Sequence, residues 1–440
     1  MKRLGKIWND YWFRPAPLAD LAIFRIIAAG GQLFNYLVIW RPNHRDFAAL
    51  SEIPQLYDPL AVVRLFLRPM GPEWLPPLAF LTVLFWITVA ALVLATLGLL
   101  TNASLTAAAA GGLFLQAYAY SFGDFHHPEA LMALALVCLA LSPCGRVLSL
   151  DAIRRRARTA VARRRWVAAP ALDEMSAFAR WPLRMLVALF ALVYFSAAYH
   201  KYLTGGHAWM NGYTLQYYLL QDGLRWNRPM GMWLASHHGL AVVSSVVTML
   251  FETFFFLAVF IPGLLLAAWP IGFGMHVGIL VLMAAGFFEY LILYLALLPW
   301  TALFRWVRTR RGGSPRARLD ILFDGACPLC LRSMSVLYGL DWFGRLRFLP
   351  FQEQAGARQA HAIGASPEDL RKELHLVGKG GKVWKGFFAF RAMSWHLPPA
   401  WPVAPFLYMP GMSVAGPIIY RWIADSRRRF TTCEAGACRI

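Results

Sequence analysis

Charge is scarce in this chain. Of 440 residues only 15% are charged, and the 23 acidic residues are outnumbered by 43 lysines and arginines. So little charge, beside 58% hydrophobic residues, excludes an ordinary soluble globular protein. A cleavable signal peptide is not read at the start either. Met1 to Arg14 is basic and aromatic, and the first apolar run behind it is of spanning length. The net charge of +20 comes without any stacking motif or nucleic-acid module, which argues against nucleic acid as a partner.

Long apolar stretches are present instead, each long enough to cross a hydrocarbon core about 30 Å thick. Spans are expected at 18–40, 77–99, 102–122, 128–148, 182–203, 239–262, 264–286 and 287–304. The expected fold class is therefore a polytopic α-helical membrane bundle of about eight helices, followed by a small α/β domain. Basic residues crowd into Lys2-Arg3-Lys6, Arg146 to Arg165 and Arg305 to Arg318. An eight-span count puts all three on the inner side, the positive-inside pattern, with both termini cytoplasmic. Membrane lipid, with its anionic headgroups, is then the natural partner of the basic segments. The arginine-rich, single-chain layout points to a bacterial inner membrane.

The same topology sorts the eleven histidines. His44, His126, His127, His200, His207, His237 and His238 fall in outer loops or outer helix ends, and His276 lies inside a span. Ionisable groups at membrane depth are functional candidates by default. The fifth span ends on His200-Lys201, and adjacent helical residues point about 100° apart, so one of the two is expected to face the interior. A partly desolvated Lys201 is a candidate proton acceptor; the competing reading is a lysine that snorkels to the headgroups. Glu252 and His276 each interrupt an otherwise apolar helix, and Glu252 needs a partner, for which Arg25 is a candidate. Asp124-Phe125-His126-His127 holds metal-ligating residue types without a recognised ligand spacing, and no metal is assigned.

Three ordered blocks carry a family resemblance. Tyr194-Phe195 through His200-Lys201, followed by Trp209-Met210-Asn211-Gly212-Tyr213, resembles a stretch of the vitamin K-dependent gamma-carboxylases and of the wider HTTM transmembrane family. His126-His127 with Ser142-Pro143-Cys144-Gly145-Arg146 and Ser149-Leu150-Asp151 is similar to a second block, and Gly274-Met275-His276 with Phe287-Phe288 to a third. The resemblance covers residues 10–305. It implies that Lys201 is the base that deprotonates a reduced naphthoquinone, with His127 and His276 assisting. Dioxygen attack then yields an epoxide and a strong base, and carbon dioxide is a possible co-substrate. His200, Glu252, Trp209, Tyr213 and Tyr199 are expected around the quinol, which in a bacterium is menaquinol or ubiquinol in place of vitamin K. The outer loops are short and offer no counterpart to the large lumenal domain of the eukaryotic carboxylases. This leaves quinol- and oxygen-dependent chemistry as the core of the expectation.

After Arg310-Arg311-Gly312-Gly313-Ser314-Pro315 the composition becomes that of a small soluble domain. Leu319-Asp320-Ile321-Leu322-Phe323 reads as a buried strand and Asp324-Gly325 as the turn after it. A helix through Leu331 to Leu340 is expected to begin at Cys327-Pro328-Leu329-Cys330. That order is the thioredoxin-like context for a redox-active disulfide. The helix N-terminus favours a thiolate, so Cys327, read as the more exposed, is the expected nucleophile and Cys330 the resolving thiol. A zinc site is the competing reading and would require Cys433 and Cys438. Asp324-Gly325-x-Cys327-x-x-Cys330 with Arg347-Phe348, Pro350, Gly386-x-x-Ala389-Phe390 and Ile419-Tyr420-Arg421-Trp422 resembles the DCC family of thiol-disulfide oxidoreductases over residues 319–430. The apolar stretch from Pro398 to Ile423 is broken by prolines and is expected to form short core helices.

The expected organisation is a bundle over 1–305, a basic linker over 306–318, a thiol domain over 319–430 and a cysteine-containing tail over 431–440. Function is expected to be that of a membrane oxidoreductase acting on quinol and on a peptide or thiol-protein substrate. Two alternatives stand beside it: a bundle that only anchors the thiol domain, and a non-enzymatic maturation or transport partner of a secreted peptide.

Overall fold

The structure, a computed structural model, describes residues 2–40, 47–71, 74–123, 127–166, 174–312 and 319–429. It divides into two compact units: residues 1–145 with 175–298, and residues 146–174 with 299–440.

The first unit is helical because its sequence offers runs of apolar side chains without the period-2 alternation of strands. Among the described residues four helices are each long and apolar enough to cross a membrane: Leu18–Ile39, Leu78–Leu97, Ala177–Met210 and Leu264–Met283. The count rises to six if Pro229–Ala235 with His238–Phe254, bent by 97°, and Phe288–Ala296 with Trp300–Val307 each make one broken span. The described residues thus support four to six of the eight expected spans. Thr101–Tyr120 has the length, but Asn102, Gln116 and its threonines and glycines dilute the hydropathy, and the apolar helix Glu129–Ala140 is short. The helix Leu78–Leu97 stops because Gly98 adopts a left-handed conformation (φ 69°, ψ 45°), which an L side chain resists. Helix Thr101–Tyr120 then folds back against it.

In the second unit four strands form one mixed sheet among the described residues: β1 (Leu319–Phe323), β2 (Leu346–Pro350), β3 (His375–Val377) and β4 (Val383–Lys385), in the order β2-β1-β3-β4. β1 and β2 run parallel, with Ile321 opposite Phe348, while β3 and β4 are antiparallel to their neighbours. β1 is buried on both faces, as its apolar run Ile321-Leu322-Phe323 dictates. Alternation sends Ile321 and Phe323 to one face with Leu331, Met334 and Leu376, and Leu322 to the other with Leu349, Leu370 and Val377. Asp320 and Arg347, on neighbouring strands, form a bidentate ion pair.

The arginine-rich segment after residue 145 belongs to this unit. Its helix, Leu150–Ala162, starts where the Ser149 hydroxyl accepts from the Ala152 N–H at 2.9 Å. It packs on the helix Pro328–Leu340, with the Arg156 guanidinium 3.9 Å from the Tyr338 ring centroid. Trp166 is buried and stacks on Phe348 at 5.1 Å, with edge contacts to Phe323 and Tyr338. Residues 146–166 thereby close one side of the sheet's core.

The stretch from Pro398 to Ile423 does not form core helices. A short turn at Pro398–Ala400, the helix Ala404–Leu407 and the helix Met412–Arg429 are present, yet their large apolar side chains are mostly exposed. The face of the sheet beneath them is already covered by the helix Gly386–Ser394, whose Phe387, Ala389 and Met393 are buried.

Removal of the Trp166 ring is expected to destabilise the second unit by about 3 kcal/mol. Trp166→Ala should therefore speed amide hydrogen exchange across β1 and β2, whereas Arg165→Ala at an exposed neighbour should not. Equal protection in both variants would show that residues 146–166 are dispensable to the sheet.

Candidate functional site

The dithiol follows directly from β1. Phe323 ends the strand, and the turn at Asp324-Gly325 is tied down by Gln352, which accepts from the Gly325 N–H at 3.0 Å and donates to the Asp324 carboxylate at 2.6 Å. The Asp324 carboxylate also accepts from the Ala326 N–H. Position 325 requires glycine, since a Cβ there would lie 2.7 Å from the Pro350 side chain. The chain then reaches Cys327, which is itself the N-cap of the helix Pro328–Leu340, with Pro328 in the first helical position. The Cys330 N–H points at the Cys327 sulfur at 3.5 Å. No disulfide joins the two sulfurs.

That position governs the chemistry of Cys327. Its thiol is brought down from 9.0 to about 6, chiefly by a hydrogen bond from the Cys330 side chain and then by the backbone N–H groups of Cys330 and Leu329, against the opposing effect of burial. The expectation that Cys327 is the more exposed sulfur is corrected. Cys327 is only 7% exposed, while Cys330 is half-buried. Capping draws the first sulfur in over the helix end, and one turn later Cys330 faces a cavity.

The cavity has a volume of about 490 Å³, in the range of sites for small apolar molecules. Leu329, Cys330, Met334, Phe387, Phe390 and Ile419 contribute to its wall, with Asp324 and Ser333 among the few polar groups. Motif reading finds the cysteines but not the cavity, which joins residues some ninety positions apart.

The bundle assembles a second set of groups. The Lys201 amine donates to both oxygens of Glu252 at 2.6 Å, from the helix Arg180–Gly205 to the helix His238–Phe254. The expected partner of Glu252, Arg25, is fully buried elsewhere, with one guanidinium nitrogen 3.5 Å from the Cys144 carbonyl. Seven residues before Lys201, on the same helical face, Tyr194 bonds His276 Nε2 at 2.7 Å and the Tyr294 hydroxyl at 2.9 Å. All three are buried, and Phe190, Phe251 and Phe255 surround Tyr194. Trp209 lies with Lys201, its ring centroid 5.7 Å from the amine.

The other expected residues are not gathered there. His200 and Tyr199 are exposed, as the 100° step from Lys201 requires, and Tyr213 is exposed and stacked on His238. His127 begins the helix His127–Ala140, and its side chain lies outside the described residues, as do Asp124 to His126, Cys433 and Cys438. No group of three metal-ligating side chains occurs among the described residues. Sequence reading did not single out Tyr294 or the buried pair in which Asn35 donates to Glu289. Glu289 carried a usable signal, an acid inside an apolar run; Tyr294 carried none.

Residues 321–433 match the family described as DCC1-like thiol-disulfide oxidoreductase, so the second unit carries a DCC1-like domain, behind apolar helices that fit a membrane domain. No curated protein and no solved structure matches the chain.

With its thiol at about 6, Cys327 is expected to be about nine-tenths ionised at pH 7. Iodoacetamide alkylation of Cys327, followed by peptide mass spectrometry, should show a rate midpoint near pH 6. A midpoint near 9 would remove the helix-end effect. The same depression means that the reduced protein gains stability as pH rises from about 6 to 9, the window in which the unfolded thiol still holds its proton.

Proposed function

We propose that the chain is a multi-pass membrane thiol-disulfide oxidoreductase with a thioredoxin-like catalytic domain. The observation that carries this reading is the Cys327 sulfur at the helix N-cap, with Cys330 one turn on. The Cys327 thiolate attacks one sulfur of a substrate disulfide. That S–S bond breaks, the leaving thiolate takes a proton, and a mixed disulfide forms. Cys330 then gives up its proton and attacks the Cys327 sulfur, releasing the second substrate thiol. The enzyme dithiol is oxidised to a disulfide and the substrate disulfide is reduced to two thiols; a donor thiol runs the exchange backwards to reset it. The sheet order β2-β1-β3-β4 with the dithiol after β1 supports the thioredoxin-like assignment. The apolar cavity beside Cys330 favours substrates that carry an apolar group next to the disulfide. In this reading the domain faces the reducing cytoplasm of a bacterial cell, where a CxxC pair acts catalytically.

A second reading adds chemistry in the bundle, and the Lys201–Glu252 pair beside the Tyr194–His276–Tyr294 chain favours it. In this reading Lys201 first passes a proton to the Glu252 carboxylate, and the neutral amine, held at a fixed point, then takes a proton from a bound quinol. The aromatic walls would exclude water from an oxygen-dependent reaction. The bound quinol would supply the reducing electrons, and carbon dioxide stands as a possible further reactant. Without that chemistry the bundle is an anchor for the thiol domain.

Cys330→Ser is expected to trap Cys327 as a mixed disulfide with the substrate, seen as a thiol-reversible mass increase. Cys327→Ser should abolish exchange with glutathione disulfide; retained exchange in that variant would remove the proposal. Lys201→Ala should abolish quinol-dependent oxygen uptake and leave glutathione exchange intact. If the unaltered protein takes up no oxygen with quinol, the bundle is reduced to its anchoring role.

A further inference from the structure

Between residues 319 and 429, ten of the twelve exposed large hydrophobic side chains lie in residues 401–423. Val414 is 68% exposed, Trp422 75% and Phe406 61%. The helix Met412–Arg429 has two faces. Met412, Gly416, Ile419, Tyr420 and Ile423 line the cavity beside Cys330. Val414, Ile418 and Trp422, spaced by four, form a second apolar stripe that points outward. Soluble surfaces rarely leave so concentrated an apolar face uncovered.

Three features identify what covers it. The chain carries its own spanning helices, so a bilayer is always within reach. The outward face ends in Trp422, a residue type that settles at the headgroup level. Arg421 is exposed on the same face, and Arg427-Arg428-Arg429 continue the helix, against the single exposed acid Asp425. A helix with one apolar side, tryptophan and a basic end lies in the plane of an anionic lipid surface.

We propose that the face formed by residues 401–423 docks on the headgroup region of an anionic bilayer, with Val414, Ile418 and Trp422 reaching the acyl boundary. Ile419 and Ile423 belong both to this face and to the cavity wall, so the cavity beside Cys330 borders the lipid surface. The docking stands independently of the thiol reaction.

The test uses the full chain in phosphatidylcholine vesicles with and without phosphatidylglycerol. A photo-crosslinking residue is placed at 418, at 422 or at the exposed control position 358. Lipid adducts are expected at 418 and 422, severalfold above position 358, and more of them with phosphatidylglycerol. Adducts to a second copy, or to no molecule above the control, would overturn the proposal, and a yield indifferent to phosphatidylglycerol would overturn its electrostatic part. Val414→Asp with Ile418→Asp should remove the lipid adduct at 422 while glutathione exchange continues. A lipid adduct unchanged in that variant overturns the docking. Lost glutathione exchange in the unaltered protein would overturn only the reaction proposed above.

Discussion

A helix that begins on sulfur is the constraint from which the thiol unit takes its chemistry. The first N–H groups of any helix lack internal partners, and a serine or aspartate oxygen ordinarily meets them. Here the Cys327 sulfur occupies that place, so the helix start brings both the Cys330 thiol and the backbone N–H groups to the thiolate and stabilises it. The arrangement demands a rigid approach. β1 is held between β2 and β3, Gln352 ties the turn, and Pro350 leaves room only for the hydrogen of Gly325. A tilt of the strand end would carry the sulfur off the helix axis and remove its hydrogen bonds together.

The bundle obeys a related rule from the opposite direction. In an apolar interior a charge persists only with a partner, and three of the described ionisable groups have found theirs on other helices. Lys201 with Glu252, Glu289 with Asn35, and His276 with Tyr194 each join two elements distant in sequence. These bonds fix the relative rotation of helices whose apolar surfaces alone would permit several packings. Polar positions therefore define the interior of this unit more sharply than its leucines do.

Much of this was legible beforehand. The strand Leu319–Phe323 and the helix carrying Cys330 followed from a buried apolar run, an Asp-Gly turn and the cysteine spacing. The span ends expected from hydropathy at 99, 203 and 286 lie within three residues of the helix ends at Leu97, Gly205 and Met283. Other features were not, because they depend on distance in space rather than in sequence. Arg25 was the partner read for Glu252, whereas the helix rotations bring Lys201 to it instead. The arginines of 146–165 read only as charge, whereas Ala160 and Trp166 complete the core of the sheet. The prolines of 398–417 pointed to short helices but could not tell buried pieces from exposed ones.

Composition and local spacing determined that this protein has an apolar helical part and a separate dithiol, because hydropathy and a CxxC gap are properties of neighbouring residues. Tertiary structure alone decided which sulfur is tucked in, which acid meets Lys201, and where the cavity beside Cys330 opens. Each of those depends on how rigid helices rotate against one another and against a sheet, and no window of sequence contains that rotation.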